Sequence, residues 1–198
     1  THCISSAASD VYKRQDVDHT VQKIVKKTFE DITGFLNPDY ALDGCSAPNF
    51  ACSIQSLAKA MAVFANPENL QINRIMSIAK LKNAVLSHPE LIAGSDRLCT
   101  KIIKKSNGRL IVKVGAEGVY TAMLLDKGLG MALKISDGSK RAAECLIITL
   151  LVMLGYFKKD DQDFLNYLNT PIYNWSEKKT GVIRASDMVW AKGNFLDI

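Results

Sequence analysis

Three short apolar segments, Leu110–Val114, Val119–Leu125 and Met131–Ile135, follow one another with only brief Gly-containing connections between them. Strands joined so tightly must pair antiparallel, because a parallel pair needs a crossover of about a dozen residues or more. Helical patterns stand on both sides of this run of strands. The order helices, hairpins, helices predicts an α+β fold, an antiparallel sheet flanked by helices, and argues against a doubly wound parallel sheet.

The helices announce themselves by spacing. Val17, Val21, Ile24, Val25, Phe29 and Ile32 recur at intervals of three and four, which predicts an amphipathic helix over Asp16–Ile32 with Gly34 as its stop. Tyr40-Ala41-Leu42 reads as a short strand running into a turn over Asp43–Pro48. Leu57, Ala58, Met61, Ala62 and Ala65 mark a second helix closed by Asn66-Pro67, and Ile72–Ser87 a third before His88-Pro89. Ser95 or Asp96 is placed to cap a further helix through about Lys104. Asn107-Gly108 carries the chemistry of a hairpin turn. After the strands, Ser139–Gly155 reads as a long buried helix, Asp161–Leu168 as another, and Val182-Ile183-Arg184 as a last strand. No internal repeat is present.

Composition narrows the function classes. The chain has 198 residues, 47% of them hydrophobic, which suits one domain, or a large piece of one, with a real core. The longest apolar run, Ala142–Leu154, is broken by Glu144 and too short to span a bilayer, and no membrane partner is expected. The net charge of +5 is spread over separate lysine pairs without interleaved aromatics, so no nucleic-acid partner is expected. Five cysteines, odd in number and irregular in spacing, fit a reduced, cytoplasmic compartment. With three histidines, a His-rich metal site is not expected from this chain alone.

Residues 1–15 do not read like the remainder. They lack any hydrophobic period, and Asp10-Val11-Tyr12-Lys13-Arg14-Gln15 resembles the translation of a sequencing-library adaptor end. The expectation is a non-native segment over 1–15, with the protein proper over 16–198; a natural frayed terminus is the alternative.

Several residues could carry chemistry. Ser56/Lys59, Ser77/Lys80 and Ser176/Lys179 have the Ser-x-x-Lys spacing that lets a lysine activate a serine one helical turn away. About one such match arises by chance, and two of these lie on amphipathic helices that need polar residues anyway. Lys113 is different. It stands in the apolar strand Leu110–Val114, on the face of Ile111, directly before Gly115-Ala116-Glu117-Gly118. Gly115 and Gly118 bracket Glu117, so backbone can pass close to a ligand there. A partly desolvated lysine in that position is a usable base; the alternative is an edge-strand lysine that deters aggregation. Asp43-Gly44-Cys45 places a carboxylate and a thiol in one turn, which could line a pocket or donate a thiolate to a metal, or simply hold a structural cysteine.

Taken together, Asp43-Gly44-Cys45-Ser46-Ala47-Pro48, the segment His88–Gly94, the run Lys113–Val119 and the stretch Gly128–Gly138 containing Leu133-Lys134-Ile135 resemble the Rhizobium-type L-asparaginases, the asparaginase II family. The resemblance runs from about residue 16 to residue 185 in order and spacing. It implies a fold related to the serine β-lactamases and penicillin-binding proteins, and hydrolysis of L-asparagine to L-aspartate and ammonia. It implies two serine–lysine pairs, with the lysine of one matching Lys113; Asp43, Gly115 and Glu117 are the expected substrate-binding residues. It further implies a zinc ion held by two cysteines and a lysine, one of the cysteines matching Cys45, with Asp43 lining the same site and Cys99 near it. A homodimer is compatible with it.

The departures from the family pattern are specific. The two nucleophile-bearing serines, the first serine's lysine and the Cys-Ser-Gly-Lys-type segment with the other zinc ligands lie upstream in the family and have no counterpart here. The expectation is therefore a C-terminal portion with the N-terminal half missing, itself inactive. A related serine hydrolase acting on another amide, and a noncatalytic binding or scaffold protein of the same fold, are the rival readings.

Overall fold

The computed structural model describes residues 13–191, and Cα packing divides the chain into two compact units, Thr1–Ala60 and Met61–Ile198. Most of the segment expected to be non-native, 1–12, lies outside the described residues.

In the first unit, helix α1 spans Thr20–Thr33. It begins four residues later than its apolar spacing suggests. Asp16 instead accepts the Asp18 and His19 amides in a turn, and His19 caps the helix by accepting from the Val21 N–H. Gly34 ends it as expected, at φ 68° in the left-handed region. Strand β1, Tyr40–Leu42, pairs antiparallel with β2, Pro48–Phe50. The second strand was not expected, since Pro48 opens it and only Asn49 and Phe50 follow; Pro is tolerated at a strand's first position. Phe50 packs its ring 5.8 Å from Phe29 of α1 and 6.3 Å from Tyr40, which fixes the hairpin on the helix. Helix α2, Ile54–Ala65, carries the chain into the second unit.

The second unit holds the main core. Helix α3 has the bounds its pattern predicts, Ile72–Ser87. A single turn, α4 (Glu90–Ala93), precedes α5 (Leu98–Lys105). The expected cap of α5 at Ser95 or Asp96 is not made: Arg97 is the N-cap residue and supplies no side-chain bond. Strands β3 (Leu110–Val114), β4 (Val119–Leu124) and β5 (Leu129–Lys134) form one antiparallel sheet in the order β3-β4-β5. Asn107 and Gly108 both have positive φ, 51° and 79°, with Arg109 N donating to Ser106 O. Their turn joins α5 to β3 rather than two strands, because Asn-Gly selects the turn's dihedrals and not its flanks. The hairpin that follows is β3–β4, turning through Glu117 (φ 52°) and Gly118 (φ 73°), a pair with the positive φ values of a type I′ turn.

Register explains where the core sits. Leu110, Val112 and Val114 face the same side as Leu124, Ala122 and Tyr120, and Leu133 lies opposite Tyr120. Helix α6 (Lys140–Met153), capped by Ser139, lays Ile147, Ile148 and Leu151 into this core with Ile102 of α5 and Phe164, all fully buried. The expected helix over Asp161–Leu168 shrinks to the turn α7, Leu165–Leu168. The last strand, β7 (Lys179–Ile183), has a partner that was not foreseen, β6 (Thr170–Tyr173), whose Pro171 masks its strand character. Helix α8 (Asp187–Ala191) follows. The protein is thus mixed α+β, with small antiparallel sheets packed against helices. Among the described residues, no helix is long and apolar enough to cross a membrane.

Candidate active site

The sheet has a second face. Lys113 lies opposite Thr121, and Thr121 opposite Ala132, so this row points away from the core. The ladder continues through Gly115, whose amide donates to Val119 O at 2.8 Å, and Val119 lies opposite Lys134. Lys113, Gly115 and Lys134 therefore share one face. Gly115 is a crowded point on it rather than an opening: a Cβ there would stand 3.0 Å from the Cβ of Val119.

Lys113 is exposed, which corrects the expectation of a desolvated lysine. Ile111, two residues earlier on the same face, is buried, but the cover ends before Lys113 on this edge strand. Its ammonium donates to Val114 O at 2.6 Å, and its carbonyl accepts from the Thr121 hydroxyl at 3.2 Å. The hairpin beyond it packs on the turn that leads into α6. Gly138, at φ 73°, lies so close that a Cβ there would be 2.7 Å from the Glu117 carboxylate. The structure thus brings Lys113, Gly115 and Glu117 together in one hairpin.

Asp43 and Cys45 belong to the first unit, in the β1–β2 turn. Asp43 accepts the Gly44 N–H on Oδ1 at 2.7 Å, and its carbonyl accepts from Ser46 N. Gln15 Nε2 donates to Cys45 O at 2.5 Å, and the Cys45 thiol is free and exposed. Zinc bound by protein needs three or four such donors at fixed geometry. Among the described residues, no three His, Cys, Asp or Glu side chains converge in a way that could hold a metal. The described His, Cys, Asp and Glu residues therefore do not make a zinc site on their own, and Cys45 offers one thiolate.

The serines of the Ser-x-x-Lys pairs all take part in local hydrogen bonds. Ser56 Oγ bonds Ser53 Oγ at the start of α2, and Ser77 Oγ donates back to Asn73 O within α3. Ser176 sits in the β6–β7 turn, where its amide donates to Asn174 Oδ1. Spacing alone missed a buried polar pair behind the sheet. Tyr120 OH lies 2.9 Å from Cys99 Sγ, both side chains buried, and burial foremost, then the Cys99 neighbour, pushes the Tyr120 hydroxyl far above its ordinary range. Burial also raises the Cys145 and Cys52 thiols. Sequence reasoning also gave Lys134 no role; its only signal was membership in the Gly128–Gly138 stretch.

Lys113, Gly115 and Glu117 thus stand in one hairpin of a mixed α+β protein. A sequence profile of the L-asparaginase II family, a family of hydrolases, matches residues 3–185, and the chain belongs to that family. No individually curated protein matches the chain.

Proposed function

We propose that this chain is the lysine-bearing portion of an amidohydrolase that converts L-asparagine to L-aspartate and ammonia. The observation that carries the reading is the family match over residues 3–185 together with the hairpin that groups Lys113, Gly115 and Glu117. In this reading Lys113 accepts the proton of a serine hydroxyl as the oxygen attacks the side-chain amide carbon. Fixed donors stabilise the tetrahedral oxyanion, and the same lysine returns a proton to nitrogen as ammonia leaves. Water then opens the acyl-enzyme. Gly115 keeps the backbone beside Lys113 free of a side chain, and Glu117 orients the substrate.

The serine comes from sequence beyond these residues in this account; Ser56 bonds Ser53 at the start of α2, Ser77 bonds back within α3 and Ser176 sits in a turn. The fold of the complete enzyme is proposed to be β-lactamase-like, supported by the antiparallel sheet backed by helices. No catalytic step is assigned to zinc, because the described donors do not complete a site. A cytoplasmic location suits the free cysteines Cys45, Cys52, Cys99 and Cys145.

The test is ammonia release from L-asparagine by the product of the complete reading frame. Turnover of L-asparagine above that of other amides supports the proposal; hydrolysis confined to another amide, or none, contradicts it.

A further inference from the structure

We propose that Lys134 is a positioning residue of this site: its ammonium ties the Glu117–Gly118 turn to the turn that enters α6, and so holds Glu117 in place on the hairpin that carries Lys113 and Gly115. The inference rests on the reading of Glu117 as a substrate contact. An exposed lysine ordinarily keeps its ammonium in water on a mobile stem. Lys134 instead donates to Glu117 O at 2.5 Å and to Ile135 O at 2.7 Å, one carbonyl in each turn. Hydrogen bonds from a charged donor are stronger than neutral ones.

The two turns need such a tie. Glu117 takes positive φ, 52°, which costs a residue with a side chain. The turns also touch with no room to adjust: a Cβ on Gly118 would stand 2.9 Å from the Cβ of Ile135 and 3.0 Å from the carbonyl carbon of Gly138. The register puts Lys134 directly opposite Val119, at the last rung before the turn, on the face of Lys113. From that rung the ammonium reaches over the end of the sheet to the carbonyl of the very residue it is proposed to place. Losing the tie leaves the ladder intact and frees Glu117.

Amide hydrogen exchange on the 198-residue chain tests this without any need for turnover. The Val119, Ile135 and Gly138 amides bond to Ala116 O, Gly118 O and Ile135 O and report the two turns. Lys134→Met is expected to speed their exchange on the order of tenfold while Ile147 and Ile148 in α6 keep their rates. Lys134→Arg, which keeps charge and donors, is expected to restore protection, and Lys134→Gln to fall between. Unchanged turn amides in Lys134→Met, or acceleration of every amide alike, would overturn the tie. In a second arm, L-asparagine is titrated against the amide shifts of residues 115–118. Apparent affinity should weaken about tenfold in Lys134→Met and recover in Lys134→Arg; an affinity unmoved by Lys134→Met overturns the positioning role. If the unmodified chain shows no response to asparagine, the reading of Glu117 as a substrate contact fails, and with it the positioning role, while the exchange arm still decides the tie.

Discussion

A methyl group added to Gly155 meets no atom within 4 Å, whereas one added to Gly118 meets the backbone of Gly138 and the side chain of Ile135. Both glycines have similar positive φ, 78° and 73°, so the pair separates dihedral cost from crowding. Gly155→Ala is expected to cost about 1 kcal/mol from φ alone. Gly118→Ala should cost at least about 2 kcal/mol, because backbone must shift as well. Urea unfolding of the two variants checks the order; equal losses would mean the two turns near Lys113 are not packed as described. Much of the pattern at this candidate site was readable at the residue scale. Lys113 before a Gly-x-Glu-Gly turn stands out in any apolar strand. What could not be read was its exposure, which depends on where the cover over Ile111 stops, and the tie from Lys134, which exists only once register puts it opposite Val119.

Between elements, Lys105 at the end of α5 joins Asp161 at 2.5 Å and also Asp163, on the segment that leads to α7. Hydrogen bonding first, then charge, from Lys105 holds the Asp163 carboxyl below the usual carboxylate range. The same two aspartates, Asp161 first, raise the lysine. A carboxyl lowered by folding adds stability that is complete above its unfolded value, about 3.9, and is lost as pH falls through the folded value. A lysine raised by folding adds stability that is complete below about 10.4 and is lost above it. The contribution should therefore be flat from about pH 4 to pH 10 and decline on the acid side, modestly, since solvent screens these exposed groups. Unfolding followed between about pH 4 and pH 2 should show that Lys105→Met has a shallower acid decline than the unmodified chain; identical slopes would show that the cluster contributes nothing. At this scale the long periodic elements were readable and the short ones were not. Helix α3 and strand β3 have their predicted bounds because each carries a full period of apolar residues. Strands β2 and β6 are three and four residues long and each contains a proline, so pairing with a neighbour, not local preference, makes them strands. Asn107-Gly108 shows the converse, a turn read correctly in its dihedrals and wrongly in what it joins.

For the whole molecule, the account assigns this chain the lysine of a serine–lysine pair and a single zinc thiolate, Cys45. Purified alone, it should release no ammonia from L-asparagine and hold far less than one zinc per chain, because one protein ligand leaves the remaining positions to water. Stoichiometric zinc by elemental analysis would mean that donors in this chain converge after all. Large apolar side chains including Leu36, Leu42, Leu91 and Trp175 are exposed. Exposed apolar side chains promote association where they gather into patches, and light scattering that rises with concentration for the chain alone is the expected sign of it.

The most direct test of the central claim is the rate of L-asparagine hydrolysis by the product of the complete reading frame, with and without Lys113→Met. Methionine keeps most of the stem and removes the amine, and Lys113 is exposed, so folding should survive the change. Loss of a general base predicts a fall in kcat of at least about 100-fold. Turnover within a few-fold of the unmodified enzyme would contradict the role of Lys113 and, with it, the assignment of the active site to the β3–β4 hairpin.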